Sequence, residues 1–92
     1  MKQEIAETRA LQVLGWLAGK DDLLPVFMGA TGVAEADLRR RAAEPEFLAS
    51  VLDFVLMDDA WVIGCADAQG WPPTDIVTIR AALPGGQVPS WT

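Results

Sequence analysis

The hydrophobic residues of this chain recur mostly at intervals of three and four, the period of a helix with one buried face. Residues 2–18 show it clearly, with an apolar stripe of Ala6, Ala10, Val13, Leu14 and Leu17. The segment from Phe47 to Ala66 is the most apolar part of the chain, and Asp58-Asp59 interrupts it near its middle. Because carboxylates are common helix N-caps, we interpret this segment as two consecutive helices at the centre of the core.

Turn residues divide the rest of the chain into further short helices. Asp21 or Asp22 is predicted to cap a second helix, which Gly32 should end in the left-handed conformation. Pro45 is well suited to a first helical turn, and we expect a helix boundary just before it. The predicted helices cover residues 2–18, 23–31, 35–43, 45–57, 58 or 59 to 69, and 73 or 74 to 83.

The chain partly matches itself without a gap when it is shifted by 38 residues. Val13-Leu14 falls on Val51-Leu52, Gly32 falls on Gly70, and Leu38 falls on Ile76. These positions include apolar residues and a helix-ending glycine, so we predict two copies of a unit that contains a helix, a second helix, a glycine turn and a third helix.

These patterns predict an all-α fold, a compact orthogonal bundle of five or six short helices built from two related halves. The chain has 92 residues, of which 51% are hydrophobic, enough for one core but too few residues for two. We therefore expect a single helical domain over residues 1–92, with 86–92 as a loose C-terminal tail.

Composition and charge bear on location and partners. No apolar run reaches the length of about 20 residues that a membrane span requires, and the polar, acidic N-terminal residues are unlike a signal peptide. The expected location is therefore the cytoplasm. The formal net charge of −6 disfavours nucleic acid and anionic membranes as main partners, since both carry negative charge.

The leading functional hypothesis is a non-enzymatic protein–protein interaction or regulatory module, acting as a monomer or homodimer. Four tryptophans are many for this length. An exposed aromatic beside rigid proline is a plausible docking point, and the predicted surface combines this with a neighbouring basic helix. Its residues are Trp71, Pro72, Pro73, Trp91, Arg39, Arg40 and Arg41. A second interpretation is that Trp71 closes the core over the glycine turn, as Val33 does in the first copy.

The alternative hypothesis is a nucleic-acid-binding protein. The segments TGVAEADLRRRA and GWPPTDIVTIRA each have the outline of a helix-turn-helix, and Arg39, Arg40 and Arg41 would then contact phosphates. The second segment has only Arg80 as a basic residue. A solvated basic face, or pairing of these arginines with Glu35, Asp37 or Glu44, explains the cluster without DNA.

Catalytic, cofactor-binding and metal-binding residues are not predicted. Asp53, Asp58, Asp59 and Asp67 match no calcium-loop spacing, and the chain has no histidine to complete a transition-metal site. Cys65 has no second cysteine to pair with and lies on the apolar face of a predicted helix, which is typical of a small buried hydrophobe.

Four segments of the chain together form a recognisable pattern: LGWLAGKDDLLPVFMGATGV, DLRRRA, FLASVLDFVLMDDAWV and ALPGG. This pattern resembles a family of small bacterial proteins known only as a domain of unknown function, and the resemblance extends over nearly the whole chain. It implies a small, helical, cytosolic protein with no assigned activity, so it carries over no functional residues.

Overall fold

The computed structural model describes residues 1–85, and this part of the chain consists of helices and the turns between them, without a strand. A 3-10 turn, Glu35–Asp37, leads into the third α-helix. The six α-helices are α1 (Gln3–Ala18), α2 (Leu24–Thr31), α3 (Leu38–Arg41), α4 (Pro45–Val55), α5 (Asp59–Gln69) and α6 (Thr74–Ala81). The predicted all-α class is confirmed. The tail predicted for residues 86–92 lies outside the described residues.

Helix α4 lies at the centre of the core, as its sequence predicts. Seven of its eleven residues are buried, so the helix is covered on most of its circumference. Helix α1 packs mainly against α4 and also contacts α5 and α6. Phe27 of α2 contacts Phe47 and Phe54 of α4 in edge-to-face geometry. The fully buried large side chains are Val13, Leu17, Phe27, Leu48, Val51, Leu52, Val55, Cys65, Ile76 and Ile79.

Two predicted features of the helix ends are confirmed. The Asp58 side chain caps α5 by accepting a hydrogen bond from the Ala60 backbone N–H at 2.8 Å. Gly32 ends α2 in the predicted left-handed conformation, with φ of 76°, and Gly70 ends α5 in the same conformation, with φ of 77°. Because this conformation penalises a Cβ atom, glycine is favoured at both positions.

The predicted cap at Asp21 or Asp22 is wrong. The residue before α2 is Leu23, and no side chain caps this helix. The Lys20 carbonyl instead accepts hydrogen bonds from the N–H groups of Leu23 and Leu24. Leu23 is buried, so packing of this side chain sets the geometry of the turn and leaves both aspartates exposed.

The third predicted helix is shorter than its pattern indicates. Residues 35–37 form the 3-10 turn, and α3 contributes only four residues. The Glu44 N–H donates to the Arg41 carbonyl, which closes the chain into a turn before Pro45. Proline disfavours helical geometry at the preceding residue, and Glu44 is extended accordingly. Helices α4 and α6 also end two residues before their predicted ends.

The two halves of the chain contain helices in the same order, and Gly32 and Gly70, which end α2 and α5, are 38 residues apart. Corresponding helices differ in length, however: α1 has 16 residues and α4 has 11, while α3 has four and α6 has eight. The internal repeat therefore stays a prediction. None of the helices within residues 1–85 combines the length and the apolar character that crossing a bilayer requires.

Candidate functional site

Trp71 lies in the turn between α5 and α6, and the local backbone holds it in place. After the left-handed Gly70, the Trp71 N–H donates to the Ala66 carbonyl at 2.9 Å. The indole packs against the core and is mostly buried, with a smaller part exposed to solvent. It thus closes the core at this turn and still presents part of its surface to solvent.

Arg9 of α1 covers one face of this indole. Its guanidinium carbon lies 5.1 Å from the centre of the Trp71 ring, within the range of a cation–π contact. The same guanidinium pairs with the Asp75 carboxylate of α6 at 3.3 Å. Each side chain of this pair retains about a third of its exposure, so the pair is partly shielded from water. Arg9 therefore fixes Trp71 and the start of α6 relative to α1.

Pro72 and Pro73 continue the chain from Trp71 and are both exposed. Their carbonyls accept hydrogen bonds from the N–H groups of Asp75 and Ile76, which ties the prolines to the first turn of α6. The Trp71–Pro73 segment is thus held at both ends. Trp91, which the sequence analysis places on the same surface, lies outside the described residues.

The three arginines of α3 have different surroundings. Arg40 pairs with Asp37 at 3.1 Å and Arg41 pairs with Glu44 at 3.0 Å, so the predicted pairing with nearby carboxylates is confirmed for these two. Arg39 is exposed and has no ion pair with any residue among 1–85. Exposed pairs at this spacing contribute about 0.3–0.5 kcal/mol, so they hold the side chains only weakly.

A shallow groove adjoins Arg41, with a volume of about 300 Å³. Buried Phe47 and Val33 form its apolar part, and the Arg41 guanidinium lies 5.1 Å from the Phe47 ring centre. Glu46 is exposed at the same groove. Its full lining consists of Thr31, Val33, Arg41, Glu46, Phe47 and Ser50.

The predicted surface thus contains two groups of residues with separate contacts. Trp71 is bound to Arg9, whereas Arg41 is bound to Glu44 and Phe47. Within residues 1–85, no ion pair or cation–π contact joins Trp71 to the arginines of α3. Sequence reasoning missed Arg9, although its place beside the apolar stripe of α1 put it at the edge of the buried face.

Three observations on residues 1–85 concern metal binding and catalysis. Among residues 1–85, no group of three or more histidine, cysteine and carboxylate side chains is placed to hold a metal ion. The Cys65 thiol is buried, and burial raises its pKa from 9.0 to about 11 because the thiolate is poorly solvated there. No polar or charged side chain within this part of the chain is buried.

Comparison with known proteins identifies one family. A family model described as "Protein of unknown function (DUF3572)" matches residues 3–86, nearly the whole chain. The comparisons with curated proteins and with solved structures give no match. The match confirms the resemblance to a family of unknown function, whereas the bacterial origin stays a prediction. The chain therefore belongs to the DUF3572 family.

Proposed function

We propose that this protein is a non-enzymatic protein–protein interaction or regulatory module in which Trp71 is the anchor. The observation that carries the proposal is the partly exposed indole of Trp71, which packs against the core and lies beneath the Arg9 guanidinium, while its backbone N–H is bonded to the Ala66 carbonyl. The proposed partner is another protein, bound in the cytoplasm by a monomer or homodimer of this chain.

A fixed aromatic side chain suits this role for an energetic reason. Ordering a free side chain at an interface costs about 0.5–1.5 kcal/mol, and a side chain that is already held avoids much of this cost. Tryptophan is also among the residues that contribute most to binding energy, because it buries a large apolar area and can donate one hydrogen bond. The exposed Pro72 and Pro73 extend the same surface with little conformational freedom to lose.

The arginines of α3 provide a second contact in this proposal. Arg39 is available to a partner carboxylate, and the weak pairs of Arg40 and Arg41 can exchange their carboxylates for those of a partner. The groove beside Arg41 also presents the exposed Glu46, so this region carries both signs of charge.

Capture from native lysate tests the anchor. Wild-type protein, Trp71→Ala, Pro72→Ala and the control Val26→Ala are immobilised at equal amounts, after circular dichroism has verified that each is folded. Val26 is an exposed apolar residue of α2, so its removal controls for loss of surface hydrophobicity. We expect a specific partner to be lost from Trp71→Ala and kept by Val26→Ala. Equal capture by these two variants would contradict the proposed anchor.

Nucleic-acid binding is the alternative, and exposed Arg39 is the observation in its favour. The four residues of α3 extend about 6 Å, which gives few side chains access to base edges. A salt titration against duplex DNA separates the two functions. Phosphate contacts by Arg39–Arg41 give a steep negative slope of log K against log salt, which a triple alanine variant flattens. The interaction module instead predicts no measurable binding to DNA.

A further inference from the structure

Arg80 of α6 makes three hydrogen bonds that join different parts of the chain. Its Nε–H and Nη2–H donate to the two carboxylate oxygens of Asp53 on α4, at 2.6 and 3.3 Å. Its Nη1–H donates to the Pro84 carbonyl at 2.9 Å. The Arg80 side chain is 18% exposed and the Asp53 side chain 59% exposed, so the carboxylate side of this ion pair faces water, whereas the bond to the Pro84 carbonyl is partly buried. One guanidinium therefore connects α4, the end of α6 and the turn that follows.

The turn after α6 forms one wall of a surface cavity of about 600 Å³. Residues 81–85 line one side of this cavity, and Met1 and Gln3 line the other. Gly85 is left-handed, with φ of 79°, and an added Cβ would lie 3.5 Å from Arg80 Nη2. Leu83 is buried at the base of the same turn, where its N–H donates to the Arg80 carbonyl. We call Leu83–Gly85 the strap.

We infer that Arg80 and Asp53 form a latch that holds the strap against the end of the bundle, and that breaking it lets the strap open locally. Within residues 1–85, the strap is attached through the Pro84 carbonyl bond to Arg80, the Leu83 N–H bond to the Arg80 carbonyl and the buried Leu83 side chain. The packing of the helices does not depend on the Arg80–Asp53 pair alone, because α4 and α6 also contact each other and both contain buried residues. Loss of the ion pair therefore mobilises the cavity wall while the helices remain packed.

Hydrogen exchange measured by NMR tests this inference. Asp53→Asn keeps the shape of the side chain but removes its charge, and Asp75→Asn is the matched control at a second ion pair between helices, Arg9–Asp75. We expect Asp53→Asn to raise exchange of the Leu83 amide and of the Arg80 Nε–H by about fivefold or more. Amides in the middle of α6 should be unaffected, and Asp75→Asn should leave Leu83 unchanged.

Gly85→Ala provides a second test that leaves the ion pair intact. Its left-handed conformation disfavours alanine, so the strap should again open more often and the Leu83 amide should exchange faster. Unchanged Leu83 exchange in Asp53→Asn would overturn the latch, and faster exchange in Gly85→Ala would then show that the strap can open without any contribution from the ion pair. Equal acceleration at Leu83 and throughout α6 would also overturn it, because it would mean that the ion pair supports the whole fold and not the strap.

Discussion

Replacing Gly64 with alanine should stabilise the protein. Gly64 lies in the interior of α5, where glycine costs about 0.5–1 kcal/mol relative to alanine because the unfolded chain loses more freedom. An added Cβ would lie 3.5 Å from Cζ2 of Trp16, an ordinary van der Waals distance. A buried methyl group contributes about 0.8 kcal/mol, and this half-buried position should gain about half of that. The expected gain is therefore about 1–1.5 kcal/mol.

Two other glycines make this prediction specific. Gly15 in α1 has no neighbouring atom within 4 Å of an added Cβ. Gly15→Ala should therefore be stabilised only by the higher helix propensity of alanine. Gly70→Ala should instead lose about 1 kcal/mol, because its φ of 77° is unfavourable for alanine. From the most to the least stable protein, the expected order is Gly64→Ala, Gly15→Ala, wild type and Gly70→Ala.

Thermal and urea denaturation followed by circular dichroism measure these differences. A change of 1 kcal/mol corresponds to about 4–8 °C in Tm for a domain of this size. Destabilisation by Gly64→Ala would refute the reasoning, since it would mean that Trp16 approaches α5 too closely for a methyl group. If Gly64→Ala gained no more stability than Gly15→Ala, the contribution of the contact with Trp16 would be refuted, and only the higher helix propensity of alanine would be supported.

Three further predictions concern the core, a cap and the thiol. Leu52→Ala should cost about 2–5 kcal/mol in urea denaturation because Leu52 is fully buried, and a loss under 1 kcal/mol would contradict its central position. Asp58→Ala should cost about 1 kcal/mol, whereas Asp58→Asn keeps an acceptor for the Ala60 N–H and should cost less in the same assay. Burial raises the pKa of Cys65 from 9.0 to about 11, so the unfolded thiol ionises first as pH rises. The free energy of unfolding should therefore keep the full contribution of this burial below about pH 9 and lose it as pH rises through about 11. Cys65→Ala should reduce this pH dependence, and an identical pH profile would contradict the raised pKa.

The helices could be predicted because their information is local. The three- and four-residue period of α1 and α4 appears directly in the sequence, and the buried face follows from it. Capping was less predictable. Asp21-Asp22 and Asp58-Asp59 are the same dipeptide before a helix, yet only Asp58 caps. The difference arises from Leu23, whose burial orders the first turn through backbone bonds to Lys20 and leaves no role for the carboxylates.

At the candidate site, too, contacts between residues close in sequence could be predicted, whereas contacts between distant residues could not. Arg40 and Arg41 pair with carboxylates three residues away, so their partners can be predicted from helical spacing. Arg9 pairs with Asp75, 66 residues away, and no local pattern indicates this partner. The same holds for the contact between Arg9 and Trp71, which decides whether the indole is free or held.

This distinction affects how the arginines can contribute to binding. The local pairs of α3 are exposed and weak, so a partner can replace them at little cost. Arg9 holds two other elements at once, and a partner that captured it would also release the face of Trp71 that it covers. In the proposed interaction, we therefore expect the partner to leave the Arg9–Asp75 pair intact and to contact the exposed part of the indole. We expect α3 to adapt to such a partner, and the Trp71 turn to select among partners by its shape.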